Sequence, residues 1–429
     1  MFITNNNDNL VKNTSHKVVL PFYLYAAISF LVATILLFFS SSAFTQHYFH
    51  PKTLAITHIM ALGWGTMMIL GASHQLVPVL IEGRLYSIKL AYSSFVLAAV
   101  GIPLLVYGFY FFNMRWPAQW GAILINAAIL AYLSNLAFSV AKSKKENVHA
   151  VFVLTAALWL LLTTLVGLLQ VCNFSDTILP NDSLHYLPLH AHIGMIGWFL
   201  LLVMGVGSRL IPMFLISKYS NTKLLWVIYA LINGGLLTFI IFFLYFPKTS
   251  FYFIPVAAIL FAIALFGYYC YSSFKQRIRR QVDEQMKISL LSVIMMLLPV
   301  ILLFIIIGWL LVNTVNTQLV LVYGFVVFFG WITAMIFGMT FKTLPFIVWN
   351  KVYHLQAGLG KTPNPKDLFS SRIFNAMGIA YLLGFVLFII GIYNADNFIL
   401  KFATAFLVLA ALLYNWNVIK ILLHKSTKL

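Results

Sequence analysis

The sequence predicts an all-α membrane protein of twelve transmembrane helices, built as three repeated four-helix units in a pseudo-threefold bundle. Three observations carry this reading. The chain is 62% hydrophobic and 8% charged over 429 residues, far more apolar than a soluble core of that size requires, so the bilayer is the expected solvent. A helix signature, His58-Ile59, Gly63-Trp64, Gly71, Leu76 and Pro78, returns 134 residues later as His192-Ile193, Gly197-Trp198, Gly205, Leu210 and Pro212. A third copy follows after a further 133 residues as Phe325, Gly330-Trp331, Gly338 and Pro345, with phenylalanine in the place of histidine.

The elements follow in order. Residues 1–17, with Asn5-Asn6-Asn7, form a polar tail expected in the cytoplasm. Without a small-residue cleavage site, the first apolar run reads as an uncleaved anchor. Residues 18–429 form one membrane domain, with repeat units at about 18–148, 149–287 and 288–429. The first unit holds spans 18–40, 53–81, 86–113 and 117–140, and the second holds 149–171, 187–216, 222–246 and 251–273. The third holds 288–312, 318–349, 370–393 and 398–423, its last two spans delayed by the loop 350–368 with its Pro/Gly/Lys stretch from Gly358 to Pro365. Each signature copy sits in the second span of its unit. Glycine beside tryptophan lets a neighbouring backbone approach while the indole fills a gap, so the Gly, Trp and Pro positions read as scaffold.

The net charge of +18 sorts by side of the membrane rather than marking a nucleic-acid partner. Even-numbered loops carry Arg84 and Lys89; Lys142, Lys144 and Lys145; Lys218 and Lys223; Lys275, Arg277, Arg279, Arg280 and Lys287; and Lys351, Lys361 and Lys366. Odd-numbered loops carry Lys52, Arg115, Lys248 and Lys401, together with Asp176, Asp182 and Asp396. The positive-inside rule then places both termini in the cytoplasm. The basic run Lys275–Lys287 reads as a topology determinant on anionic headgroups. Cys172 and Cys270 fall near opposite faces and form no disulfide or metal motif.

Histidine carries the functional signal, because ionisable groups inside a bilayer are costly and by default face a bundle interior or cavity. His58 lies about 8 Å inside the outer end of its span at ~1.5 Å per residue, and His190 and His192 enter the sixth span at equivalent depth. Two residues apart, the latter pair point about 200° from each other. The repeat alignment selects His192 as the match to His58. His47, His50 and His185 crowd the same face from loops, and the cluster suggests a metal: neutral imidazole suits haem iron, copper and zinc alike. His74, 16 residues beyond His58, is read either as a helix-end histidine bonded to a carbonyl or as the ligand of an inner-side haem or a proton relay. His16, His149, His354 and His424 are expected to serve solvation only.

Twelve helices in three arcs, with histidines in the second and sixth near the outer face and the stretch His190-Ala-His192-Ile-Gly-Met-Ile-Gly-Trp198, resemble subunit I of the haem–copper oxidase superfamily. As sequence, the resemblance covers only the signature helices. It implies haem b, with copper as a second candidate metal. His58 matches the second-helix haem ligand and His192 or His190 the sixth-helix copper ligand, while His74 is the candidate for an inner haem. It further implies a bacterial cytoplasmic membrane and, beside the bilayer, respiratory subunits or an electron-donor protein as partners, with no nucleic acid.

The rest of that ligand set is missing: residues 221–245 contain no histidine, and neither do residues 317–349, where Met335 or Met339 would have to substitute. Intramembrane carboxylates are nearly lacking, and Glu82 is expected at the cytoplasmic edge of the second span. Catalysis is therefore left open. The expected function is a divergent haem-binding protein of respiratory electron transfer or oxygen or nitric oxide chemistry. A non-catalytic accessory, metal-delivery or sensing protein on the same scaffold is the first alternative, and a twelve-helix transporter the second, although carriers usually show two inverted halves.

Overall fold

The computed structural model describes residues 14–81, 83–143, 147–278, 281–354 and 362–426. Most of the tail 1–17, together with Glu82, Lys144, Lys145, Arg279, Arg280, Lys361 and part of the loop at 350–368, lies outside the described residues. Among those described, the fold is helical, and twelve helices are long and apolar enough to cross a membrane: α1 (His16–Phe39), α2 (Pro51–Leu80), α3 (Ile88–Tyr110), α4 (Trp116–Ala141), α5 (Val148–Asp176), α6 (Leu187–Leu215), α7 (Thr222–Tyr245), α8 (Thr249–Lys275), α9 (Glu284–Leu310), α10 (Thr317–Tyr353), α11 (Ser371–Tyr393) and α12 (Asn397–Leu422). This is a multi-pass membrane protein. Most starts are chemically marked: Ser15, Ser87, Asn147, Asn221, Asp283, Asn316, Ser370 and Asp396 each accept a first-turn backbone N–H on their side-chain oxygen.

The spans expected from sequence are all present, with ends that differ by a few residues. Capped by Asp283, α9 starts at Glu284, four residues before the expected start, and it breaks at Met296, between Glu284–Met295 and Leu297–Leu310. Pro299 explains the break, since its ring conflicts with the carbonyl four residues back, on Met295. The tenth span runs on to Tyr353. Arg209, Lys342, Arg372 and Lys420 are cations inside spans that lie outside the loop inventory. Lys342 forms an ion pair with Asp283, joining the cytoplasm-facing ends expected for α9 and α10.

The signature helices are the inside of the bundle. In α2, α6 and α10, 72, 72 and 83% of the apolar window is buried, against 22–50% in the other nine, whose outer faces are available to lipid. One glycine does the same job three times. A Cβ on Gly71 would lie 2.6 Å from the Phe22 Cβ of α1, on Gly205 2.3 Å from the Phe152 Cβ of α5, and on Gly338 2.2 Å from the Ser289 Oγ of α9. Each signature helix thus presses its glycine against the first helix of its own unit. The third and fourth helices of a unit pair as hairpins, as where a Cβ on Gly121 would meet the backbone N of Leu105 at 2.5 Å. Between units, Asn126 and Thr164 join α4 to α5, and Asn415 Nδ2 donates to the Ala27 carbonyl at 2.9 Å, joining α12 back to α1.

Each signature helix also widens into a π-helix at the same register: Ile59–Thr66, Ile193–Leu200 and Val326–Ile332. Periodicity counting on a 3.6-residue turn does not detect this. At that level the indoles link the copies. Trp64 Nε1 donates to Thr333 Oγ1 of the third copy at 3.1 Å, and Trp198 Nε1 to Thr66 Oγ1 of the first at 3.0 Å. The corresponding position for Trp331 is Leu200, and the Trp331 indole N–H is buried without a partner.

Two outcomes are expected. Leu200→Thr gives Trp331 an acceptor and raises thermal stability in detergent by about 1 kcal/mol, whereas Thr66→Val strands the Trp198 N–H and lowers it by about 1–3 kcal/mol. Gly205→Ala, set against Phe152, costs about 1–3 kcal/mol in the same melting assay, while Gly234→Ala, which has open space around it, is neutral.

Candidate functional site

His50 caps α2 by accepting the Lys52 N–H on its Nδ1, and burial followed by the Lys52 charge hold its pKa below the usual histidine value. His58 lies two turns further in, at the last α-helical residue before the π segment. Its Nδ1 is 2.7 Å from the Leu54 carbonyl. A carbonyl only accepts, so the proton sits on Nδ1 and Nε2 carries a lone pair. The same logic applies to His192, whose Nδ1 is 2.7 Å from the Pro188 carbonyl, and to His190, 3.1 Å from the Thr163 carbonyl of α5. All three imidazoles are thus fixed in the ligating tautomer by a backbone partner, as metal-binding histidines are.

The repeat alignment pairs His58 with His192 by position, but the fold pairs His58 with His190 in space. Their rings stand 6.2 Å apart between centroids and within 20° of parallel, and Phe109 of α3 stacks on His58 at 4.4 Å. Both histidines line a cavity of about 160 Å³ where the first unit meets the second, together with Asn126, Thr163 and Gln170. The Gln170 amide nitrogen is buried there without a partner. His192 turns the other way, as the 200° separation requires. It lines a second cavity, of about 420 Å³, bordered by residues of all three units. There it faces Tyr323 of α10 at 5.9 Å and 21°, with Phe239 at 5.1 Å. Tyr323 is the repeat equivalent of His190, and sequence reasoning missed it because it looked for histidine on α10.

The other expectations resolve individually. His47, His50 and His185 stay in turns and caps rather than joining His58: His47 accepts the Phe49 N–H, and the His185 N–H is held by Asp182. Neither ring nitrogen of His74 has a hydrogen-bond partner; the ring is buried against Phe22 and Tyr132, with the orphaned Asn135 Nδ2 lining the same small void. His149 and His424 are not mere solvation groups. His149 Nδ1 lies 2.9 Å from Ser208 Oγ, tying α5 to α6, and His424 Nε2 lies 2.9 Å from the Tyr353 hydroxyl. Phe325 stacks with Phe329, Phe385 and Phe388 and also lines the larger cavity. Met335 and Met339 line neither cavity.

Among the described residues no three of His, Cys, Asp or Glu come together, so a bare copper ion lacks the donor set it favours. Paired imidazoles are what is built. Two imidazole nitrogens, Nε2 of His58 and of His190, are the donor pair that the smaller cavity would offer an iron. No family model and no curated protein matches the chain.

Proposed function

We propose that the chain is a divergent, haem-binding relative of subunit I of the haem–copper oxidases, its three units set about a pseudo-threefold axis, working in respiratory electron transfer or in oxygen or nitric oxide chemistry. The observation that carries it is the facing pair His58 and His190, each with Nδ1 on a carbonyl and Nε2 free. When bound, haem b supplies a one-electron centre. His58 and His190 would hold it, and the one-electron chemistry it would supply suits electron transfer. The Leu54 and Thr163 carbonyls keep both rings in the ligating tautomer, Phe109 excludes water from one face of His58, and the orphaned Gln170 amide offers a donor to an anionic group.

The recurrence of the glycine contact at Gly71, Gly205 and Gly338, the tryptophan–threonine links and the packing of α12 on α1 support the threefold arrangement, and disfavour a carrier of two inverted halves. The basic loops support a cytoplasmic position for both termini in a bacterial cytoplasmic membrane, with a respiratory subunit or donor protein supplying electrons.

Reduced-minus-oxidised spectra of protein purified from haem-replete membranes are expected to show a sharp low-spin α band, lost in both His58→Ala and His190→Ala. Absence of any Soret absorption in the wild type would end this reading. Gly167→Val is a subtler probe: its side chain enters the space of the His190 ring, since a Cβ there would already lie 2.9 Å from His190 Cε1. It should weaken the low-spin band while His58 and His190 remain.

A further inference from the structure

The third unit departs from the packing that the first two share. Seven residues beyond the contacts at Phe22, Phe152 and Ser289 stand Ser29, Trp159 and Met296. A Cβ on Gly63 would lie 2.8 Å from the Ser29 Oγ, and one on Gly197 2.7 Å from the Trp159 Cβ, so α2 and α6 stay against α1 and α5 at that level. At Gly330 the close contact is instead Phe385 of α11, at 2.9 Å, and the nearest atom of α9 is the Met295 methyl, at 3.6 Å. Met296 is where α9 breaks. Beyond the break, Leu303 and Ile307 of α9 form one wall of the larger cavity, and Val320 and Gly324 of α10 the other. A Cβ on Gly324 would meet nothing within 4 Å.

We propose that this wedge is a binding chamber for an uncharged amphiphile of one leaflet, of the acylglycerol type, with its chain between α9 and α10 and its hydroxylated head in a polar cleft at the chamber mouth. The inference is independent of the haem reading. The cleft is built by Gln46 and His47 of the α1–α2 loop and by Asn313, Thr314, Thr317 and Gln318 where α9 passes to α10. Trp309, Val315 and Asn316 border both spaces, so the cleft and the chamber are continuous. Amides and hydroxyls both donate and accept, as a polyol head requires. An anionic head would call for Lys or Arg, and among the described residues no lysine, arginine, aspartate or glutamate borders either space. The cations on this side are engaged elsewhere: Lys52 lies over the Tyr110 ring, and Lys401 bonds the Phe38 carbonyl. The dimensions fit a chain. The chamber of about 420 Å³ falls in the range of small-molecule sites. Its α10 wall, from Asn316 to Phe328, is about 18 Å long at the helical rise, close to half of a hydrocarbon core roughly 30 Å thick. Thr53, 5% exposed, also borders the chamber and keeps a buried hydroxyl without a partner, a donor that an ester oxygen at the neck of the amphiphile would satisfy.

The test is photolabelling of the full-length protein in phosphatidylcholine vesicles that carry a monoacylglycerol with a diazirine midway along its chain. Adducts are expected on 297–310 and 317–328, displaced by unlabelled monoacylglycerol and not by the same chain ending in a phosphate. Gly324→Phe, which fills the chamber from the α10 wall, should lower labelling there several-fold with the melting temperature kept. If that variant melts early, Leu303→Trp fills the chamber from the α9 wall and is read in the same way. Gln318→Lys should let the phosphate-headed chain compete. Labelling spread evenly over the lipid-facing helices, labelling unchanged in a folded chamber-filling variant, or equal displacement by both chains from the wild type overturns the proposal.

Discussion

Close approach of each signature helix to the first helix of its own unit is the contact on which the remaining structure depends. In lipid, apolar surface gains little by leaving one hydrocarbon environment for another, so helices associate through van der Waals packing and a few interhelical hydrogen bonds. Gly71, Gly205 and Gly338 allow that packing at the closest range the backbone permits. Once these contacts are made, α2, α6 and α10 are drawn inward and the other nine helices form the lipid-facing wall. The seams between units are what remains, and the histidines line two of them.

The polar groups within this apolar frame act through pairing. Lys342 is held by Asp283, Trp64 and Trp198 by threonine hydroxyls, and the three seam imidazoles by backbone carbonyls. The unpaired ones are therefore informative, because a buried donor or acceptor without a partner is costly in a low-dielectric interior. Gln170 and Thr53 fall on the two cavities, Asn135 and His74 share one small void, and Trp331 marks the missing third link of the indole series.

Much of this was legible in the sequence. Apolar run length placed all twelve helices, because a membrane span has to be continuous. The 134-residue shift identified the helices that turn out to be most buried, and it singled out His58 and His192 as equivalents, which their matching i−4 carbonyl bonds bear out. What was not legible concerns relations between copies. Alignment compares like positions, whereas the seam sets a position against one two residues earlier on the neighbouring copy, so His190 stood only as an alternative to His192 and Tyr323 went unnoticed. The π segments were hidden because hydrophobic periodicity is uninformative in helices that are apolar all round. His149 looked peripheral by its place at a helix start, yet it bonds Ser208 at the position where the first copy carries His74.

The widened turn below each seam residue has a mechanical meaning. It lies between two contacts that demand different directions: the seam at His58, His192 or Phe325, and the glycine at Gly71, Gly205 or Gly338. Removing one residue from it would favour a regular α ladder and turn everything beyond by about 100°, so a helix seated on its glycine would point its imidazole away from the seam. The π stretch is therefore a gear between scaffold and site: it lets one rigid rod face inward neighbours at one end and a different seam at the other.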